Sequence, residues 1–221
     1  MTTTTITRAI GRAAAGMLTA AAAAGVLLAA AGPAGATSCG SPVAAGTACS
    51  LTGTAAITAG SLTLTSPAAL GWAATLNGTN QALYDTTAGD QQLAVNDATG
   101  SGAGWNITVA ATTFTSGGHT LANAGTFSAN GSLTSATATT APAAACATGS
   151  TCTLPTNSTT YPVAVTTAAS SPTAVKVYDT AASTGLGQVN ITSLGWWLAI
   201  PANTLAGTYT STITVQVNSA P

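Results

Sequence analysis

Past residue 50 the chain repeats one texture: short runs in which apolar residues alternate with Thr or Ser, cut by Gly, Asn-Gly, Pro or Asp. A period of two puts successive side chains on opposite faces of an extended strand, and β-branched residues favour that backbone. The pattern predicts strands over 54–65, 70–76, 80–86, 91–97, 105–113, 119–128, 132–139, 161–168, 173–179, 187–200 and 208–217. No segment in this region sustains a 3.6-residue period. Many short strands spaced by turn signals predict an all-β fold, a single-domain antiparallel β-sandwich. The Ala-Thr-Pro stretch at 134–145 is the predicted long loop.

Charge narrows the function classes. The 221 residues hold three Lys+Arg and four Asp+Glu, 3% of the chain, against about a quarter in ordinary soluble domains. Phosphate or nucleic-acid binding needs clustered Lys and Arg, and three cations cannot supply a patch. What remains is an extracellular or surface protein kept soluble by hydroxyls and amides.

The N-terminus supports that address. Arg8 and Arg12 precede an uncharged apolar stretch from Ala13 to Ala31, followed by Gly32-Pro33 and the small-residue triplet Ala34-Gly35-Ala36. These are the three parts of a cleavable secretory signal, predicted to span 1–36 and to leave a domain from Thr37 to Pro221 with no membrane segment. Leu154-Pro155-Thr156-Asn157-Ser158 brushes against a sortase-type signal. It lacks the Thr-Gly pair, the apolar tail and the basic end, so surface retention would be noncovalent.

An even cysteine count behind a signal segment predicts disulfides. Four cysteines, Cys39, Cys49, Cys146 and Cys152, allow three connectivities. Cys39–Cys49 and Cys146–Cys152 are favoured, because each pair brackets a turn-rich loop; the first would staple an N-terminal hairpin over 37–52. Neither spacing is C-x₂-C and His119 is distant in sequence, so no metal centre is expected.

Phase sorts the tryptophans. Trp105 is in step with Ile107, Val109 and Ala111, and Trp72 with Leu70, Ala74 and Leu76, which makes both candidate core anchors. Tyr209, Ser211, Ile213, Val215 and Val217 share one face of the last strand. Trp196 joins Leu194, Leu198 and Ile200 in the core. Its neighbour Trp197 then points the other way, beside Gly195 and Ala199. An uncovered ring there would suit stacking on a sugar or burial under a partner; the alternative is a loop laid over it.

Two segments resemble the WxL domain family of Gram-positive cell-wall-associated surface proteins. Val95-Asn96-Asp97-Ala98-Thr99-Gly100-Ser101-Gly102-Ala103-Gly104-Trp105-Asn106-Ile107 is similar to the family's V-x-D-x-x-G-x-G-x-G-W-x-L stretch. The terminus, Gly207-Thr208-Tyr209 through Ile213-Thr214-Val215-Gln216-Val217 to Ala220-Pro221, is similar to its closing strand, with Val215 and Val217 where the family has Trp and Leu. The resemblance extends loosely over 50–221. It implies a secreted β-rich domain that binds the peptidoglycan wall noncovalently, often beside partner surface proteins. Trp197, Trp105 and Asp97 are the candidate glycan- or partner-binding residues. Apart from the resemblance, Asp97 and the glycines at 100, 102 and 104 predict a connection that needs positive φ or close backbone approach.

Catalytic chemistry has little to stand on. His119, in Ser116-Gly117-Gly118-His119-Thr120, is the sole imidazole and reads as a hairpin turn. Asp85, Asp90 and Asp97 lie close in sequence, each flanking a turn; weak Ca²⁺ binding is conceivable, with turn capping the ordinary reading. No enzyme activity and no cofactor is expected. Two functions compete: noncovalent binding of wall peptidoglycan or surface glycan, and a structural subunit that self-associates or co-assembles with other surface proteins. The second follows from strand edges that carry almost no charge to protect them.

Overall fold

The computed structural model describes residues 37–38, 40 and 42–220. The predicted signal segment 1–36, and Cys39, lie outside them. The chain divides into two compact units, one ending at Ile57 and one starting at Thr58.

In the first unit, β1 (Thr37–Ser38) and β2 (Cys49–Ser50) pair in parallel, Thr37 opposite Cys49 and Ser38 opposite Ser50. This corrects the expected hairpin. Gly40 and Gly46, between the two strands, take positive φ, 127° and 84°. Cys49 is in a disulfide.

The second unit is all-β and antiparallel, with one short 3₁₀ turn at Ala88–Gln91. One sheet orders β10 (Ala143–Cys146), β13 (Gly187–Thr192), β5 (Leu93–Asp97) and β3 (Leu62–Thr65). A second orders β11 (Val163–Val165), β9 (Phe127–Asn130), β14 (Gly195–Ile200) and β4 (Gln81–Tyr84). The third orders β12 (Val175–Thr180), β6 (Trp105–Ala111) and β15 (Ile213–Ser219). It flanks the other two, with β12 beside β11 and β15 beside β3. A small ribbon pairs β7 (Thr115–Ser116) with β8 (His119–Thr120).

The alternation read from sequence builds the core. β6 buries Trp105, Ile107, Val109 and Ala111, and turns Asn106, Thr108 and Ala110 outward. Tyr209, Ser211, Ile213, Val215 and Val217 are half-buried, with Thr210, Thr212, Thr214 and Gln216 exposed between them. Phe127 carries the aromatic centre, stacked on Trp196 at 5.9 Å and met edge-on by Phe114 and Trp72.

Of the strand expected over 54–65 only Leu62–Thr65 forms, and of that over 119–128 only the two ends. Four further elements come out differently, each for a local reason. The strand expected over 187–200 breaks at Ser193, whose φ of 58° turns the chain from the first sheet into the second. Residues 132–139 form turns because Ser132 and its neighbours bind local backbone instead of a ladder: the Ser132 hydroxyl accepts the N–H groups of Thr134 and Ser135. Residues 70–76 are irregular, held by Gly71 N–H donating to Asp85 Oδ2 and the Trp72 indole donating to the Trp196 carbonyl. Within the expected loop 134–145, the chain enters β10, which pairs with β13.

β10 ends in the Cys146–Cys152 disulfide, Cα–Cα 5.4 Å, as the loop reading expected. A loop this short restrains the unfolded chain by roughly 2–3 kcal/mol on the chain-entropy estimate.

Candidate functional site

The Asp97-to-Trp105 motif is a rigid joint. Asp97 Oδ1 accepts the Thr99 N–H (3.0 Å) and hydroxyl (2.6 Å), and Thr99 passes the chain of bonds to Ser101 at 2.9 Å. Gly100, Gly102 and Gly104 all take positive φ, 65°, 64° and 79°. At Gly104 a β-carbon would also stand 2.5 Å from the Thr180 carbonyl, so both φ and space require glycine there. The turn delivers Trp105 into the core, where its ring stacks on Tyr178 and its indole N–H donates to Gly185 O at 2.9 Å.

The three candidate binding residues therefore sit inside the protein. Trp105 and Asp97 are buried at this joint. Trp197 does leave the core face, as its phase required, but it is only 5% exposed. The loop after β9 covers it: its indole N–H donates to Asn130 Oδ1 and Ser132 O, both at 3.0 Å, and its ring lies 5.3 Å from that of Tyr84. Gly195 lets this loop come close, since a β-carbon there would collide with the Ser132 carbonyl. The loop-covered alternative is the one the fold makes, and an indole so enclosed cannot stack on a sugar.

A different tryptophan is accessible. Trp72 is the one described indole that is only half-buried. Its N–H is anchored on Trp196 O at 2.9 Å, and one side of its ring packs on Phe114 and Phe127. Its other surroundings form a groove of about 970 Å³ between the segment 68–76 and the segment 204–213. Leu76 and Leu205 stand at the groove, 40% and 54% exposed. Tyr209 lines it too, its hydroxyl donating to Leu205 O at 3.1 Å. Thr75, Thr204, Thr208 and Thr210 line it, as does Ser211, whose hydroxyl donates to Thr112 O, and no charged residue lines it. Phase analysis placed Trp72 with the core and missed the groove. The one hint was Leu205, an apolar residue stranded in the turn-forming run Pro201-Ala202-Asn203-Thr204.

The aspartates serve as local braces. Asp85 is fully buried; Oδ2 accepts Gly71 N–H at 2.6 Å and Oδ1 accepts Thr87 N–H at 2.9 Å. It thereby fixes the segment that carries Trp72. Burial, then the charge of Asp85, raises the Asp90 carboxyl above its ordinary range. Among the described residues no group of three His, Cys, Asp or Glu is placed to hold a metal ion. His119 lies exposed in the β7–β8 ribbon, opposite Ser116. Burial, reinforced by Asp179, pushes the Tyr178 phenol up to about 12, and burial drives that of Tyr161 higher still.

Asp179 gives a pH prediction. Burial opposes its ionisation, but the Ser158 hydroxyl (2.7 Å) and N–H (2.6 Å), with Lys176 at 3.5 Å, outweigh burial and hold the carboxyl below the usual range. A carboxylate depressed in the folded state stabilises it above its unfolded pKa, about 3.9, and that contribution is lost as pH falls through the folded value. In chemical denaturation, Asp179→Asn should lower the midpoint at neutral pH and flatten the acid limb below about pH 4. An unchanged acid limb would remove Asp179 from the acid response.

A sequence model described as "WxL domain surface cell wall-binding" matches residues 52–221. The chain belongs to the WxL family. No curated protein and no solved structure matches it. WxL domains bind the cell wall at the surface and are not an enzyme family, which places this protein outside the cell and on the wall. Among the described residues no helix is long and apolar enough to cross a membrane.

Membership gives the strand register a meaning. The two WxL segments are neighbours, β6 and β15 pairing with Ile107 opposite Val217 and Val109 opposite Val215. Val215, where the pattern has Trp, faces inward and is half-buried against the core. The position at which the sequence departs from the pattern it resembles thus lies on the core side of the ladder, not on its outer face. That outer face is polar: Asn218 donates to Asn106 Oδ1 and Thr108 Oγ1, and Asn106 donates to Ala220 O.

Proposed function

We propose that this WxL domain is secreted, by way of the 1–36 segment, and binds wall glycan noncovalently through the groove at Trp72. The observation that carries the reading is the half-buried Trp72 ring beside Tyr209 in an uncharged, hydroxyl-lined groove. Pyranose rings offer apolar C–H faces for an aromatic and hydroxyl edges for Thr and Ser. Stacking plus apolar burial supplies the attraction, and hydroxyl contacts supply orientation.

The test is retention of the exported protein on purified cell walls. Removing a ring that stacks should cost about 1.4 kcal/mol, a tenfold weakening, in Trp72→Ala. Because Trp72 also packs on Phe114 and Phe127, Leu76→Ala and Leu205→Ala, both exposed at the groove, separate binding from folding. Each should weaken retention with little change in melting temperature. Retention should also hold from about 0.1 M to about 1 M salt, over which the screening length falls from roughly 10 to 3 Å. Full retention by all three variants, or strong salt dependence, contradicts the groove.

A further inference from the structure

Leu51 to Ile57 has the pattern of a strand but is in no strand. Leu51, Gly53, Ala55 and Ile57 alternate with Thr52, Thr54 and Ala56, the period that gives a strand one apolar face. Yet Leu51 and Ile57 are 81% and 95% exposed, the two most exposed large apolar side chains among the described residues. The segment presents a strand's apolar face and an unpaired backbone to solvent.

The same chain carries a place for such a strand. β4 is an edge, paired on one side with β14. The Asp85 N–H bond to Trp196 O, 3.1 Å, sets the phase of that ladder. Gln81 and Leu83 bond inward to Ile200 and Leu198, so Ala82 and Tyr84 turn their N–H and C=O groups to the open side. A slot of about 500 Å³ is lined by Ala82, Leu83 and Tyr84 of β4 and by Gly71, Trp72 and Ala73, and runs on to Thr86 and Thr87. Natural edges are blunted by charge, proline or bulges; β4, Gln-Ala-Leu-Tyr, has none of these. Charge matches on both sides, because no Asp, Glu, Lys or Arg occurs anywhere from residue 13 to residue 84. Asp85, within the accepting stretch, is already fully buried, so docking would desolvate no charged group of either partner. The lengths agree as well, seven donor residues against a slot lined from Ala82 to Thr87.

We propose that Leu51–Ile57 of one copy adds as a strand to the β4 edge of a second copy. Each chain then donates once and accepts once, a heterologous contact that repeats head to tail into open chains. The inference goes beyond wall binding and does not rest on it, but Trp72 lines both the slot and the groove, so an added strand and a glycan would meet at that ring.

Sedimentation velocity on the exported protein tests it, up to about 100 µM because one added strand is a small interface. Wild type should show mass rising with concentration, at least about twofold. Ile57→Lys, in an exposed segment, should stay monomeric with unchanged melting and unchanged wall retention. Ala82→Pro removes an N–H that faces the open side, a replacement edge strands tolerate, and should also be monomeric. An equal mixture of the two variants should form a dimer and stop, since one keeps only its acceptor and the other only its donor. If Ala82→Pro does not fold, Ile57→Lys and competition by a peptide of residues 51–57 carry the test. A wild type that stays monomeric overturns the proposal, whether its own segment fills the slot or another protein does. So does an Ile57→Lys that assembles as wild type does.

Discussion

Trp105→Ala should be severely damaging, lowering stability by about 3–5 kcal/mol. Trp105 is fully buried, opens β6, stacks on Tyr178 and satisfies the Gly185 carbonyl. Alanine leaves a cavity in the core at the end of the third sheet and strands that carbonyl, so transfer, cavity and hydrogen-bond losses fall on one site. Domains of this size hold only about 5–15 kcal/mol in total, so the variant should be largely unfolded at moderate denaturant. Trp105→Phe keeps most of the packing but not the hydrogen bond and should lose markedly less. Equilibrium denaturation checks both. A loss below about 1 kcal/mol for Trp105→Ala would show that the core does not depend on this ring.

Trp197→Ala should come close behind, at about 3 kcal/mol or more. Removing this indole uncovers Tyr84, leaves the Ser132 carbonyl without its partner and loosens the loop over β14. The folded fraction should nevertheless bind walls as wild type does, because the ring is enclosed and lies outside the Trp72 groove. Stability and wall retention therefore separate here. Loss of retention in a variant that still melts cooperatively would return Trp197 to the binding surface.

The strands that build the core were legible because one physical rule governs them. Where one face is buried, alternation of apolar and polar residues fixes which side chains point inward. Trp105, Ile107, Val109 and Ala111 obey it, as do Trp196, Leu198 and Ile200. Reading failed where another interaction competed. The hydroxyls of Ser132 and Ser135 mimic strand polarity while bonding locally, and the left-handed residue at Ser193 is not a glycine. β10 is Ala-Ala-Ala-Cys, too weak in β-branched residues to register as a strand.

The groove was hidden for a different reason. Its walls come from 68–76 and 204–213, distant in sequence, and Trp72 looked like a core residue because half of it is one. Trp197 was the opposite case: its direction was readable from phase, but its cover was not, since that depends on the Gly195 contact with the loop after β9. Asp85 also escaped notice as anything beyond a turn cap, because its partner is a backbone N–H, that of Gly71, which carries no side-chain signal.

The most direct measurement follows the four indole N–H signals by NMR while solubilised wall fragments are added to ¹⁵N-labelled protein. Trp105, Trp196 and Trp197 are buried and internally bonded; Trp72 alone lines the groove. The account predicts that the Trp72 signal moves saturably while the other three stay in place. Binding that leaves Trp72 unmoved, or that shifts Trp197 first, would contradict it.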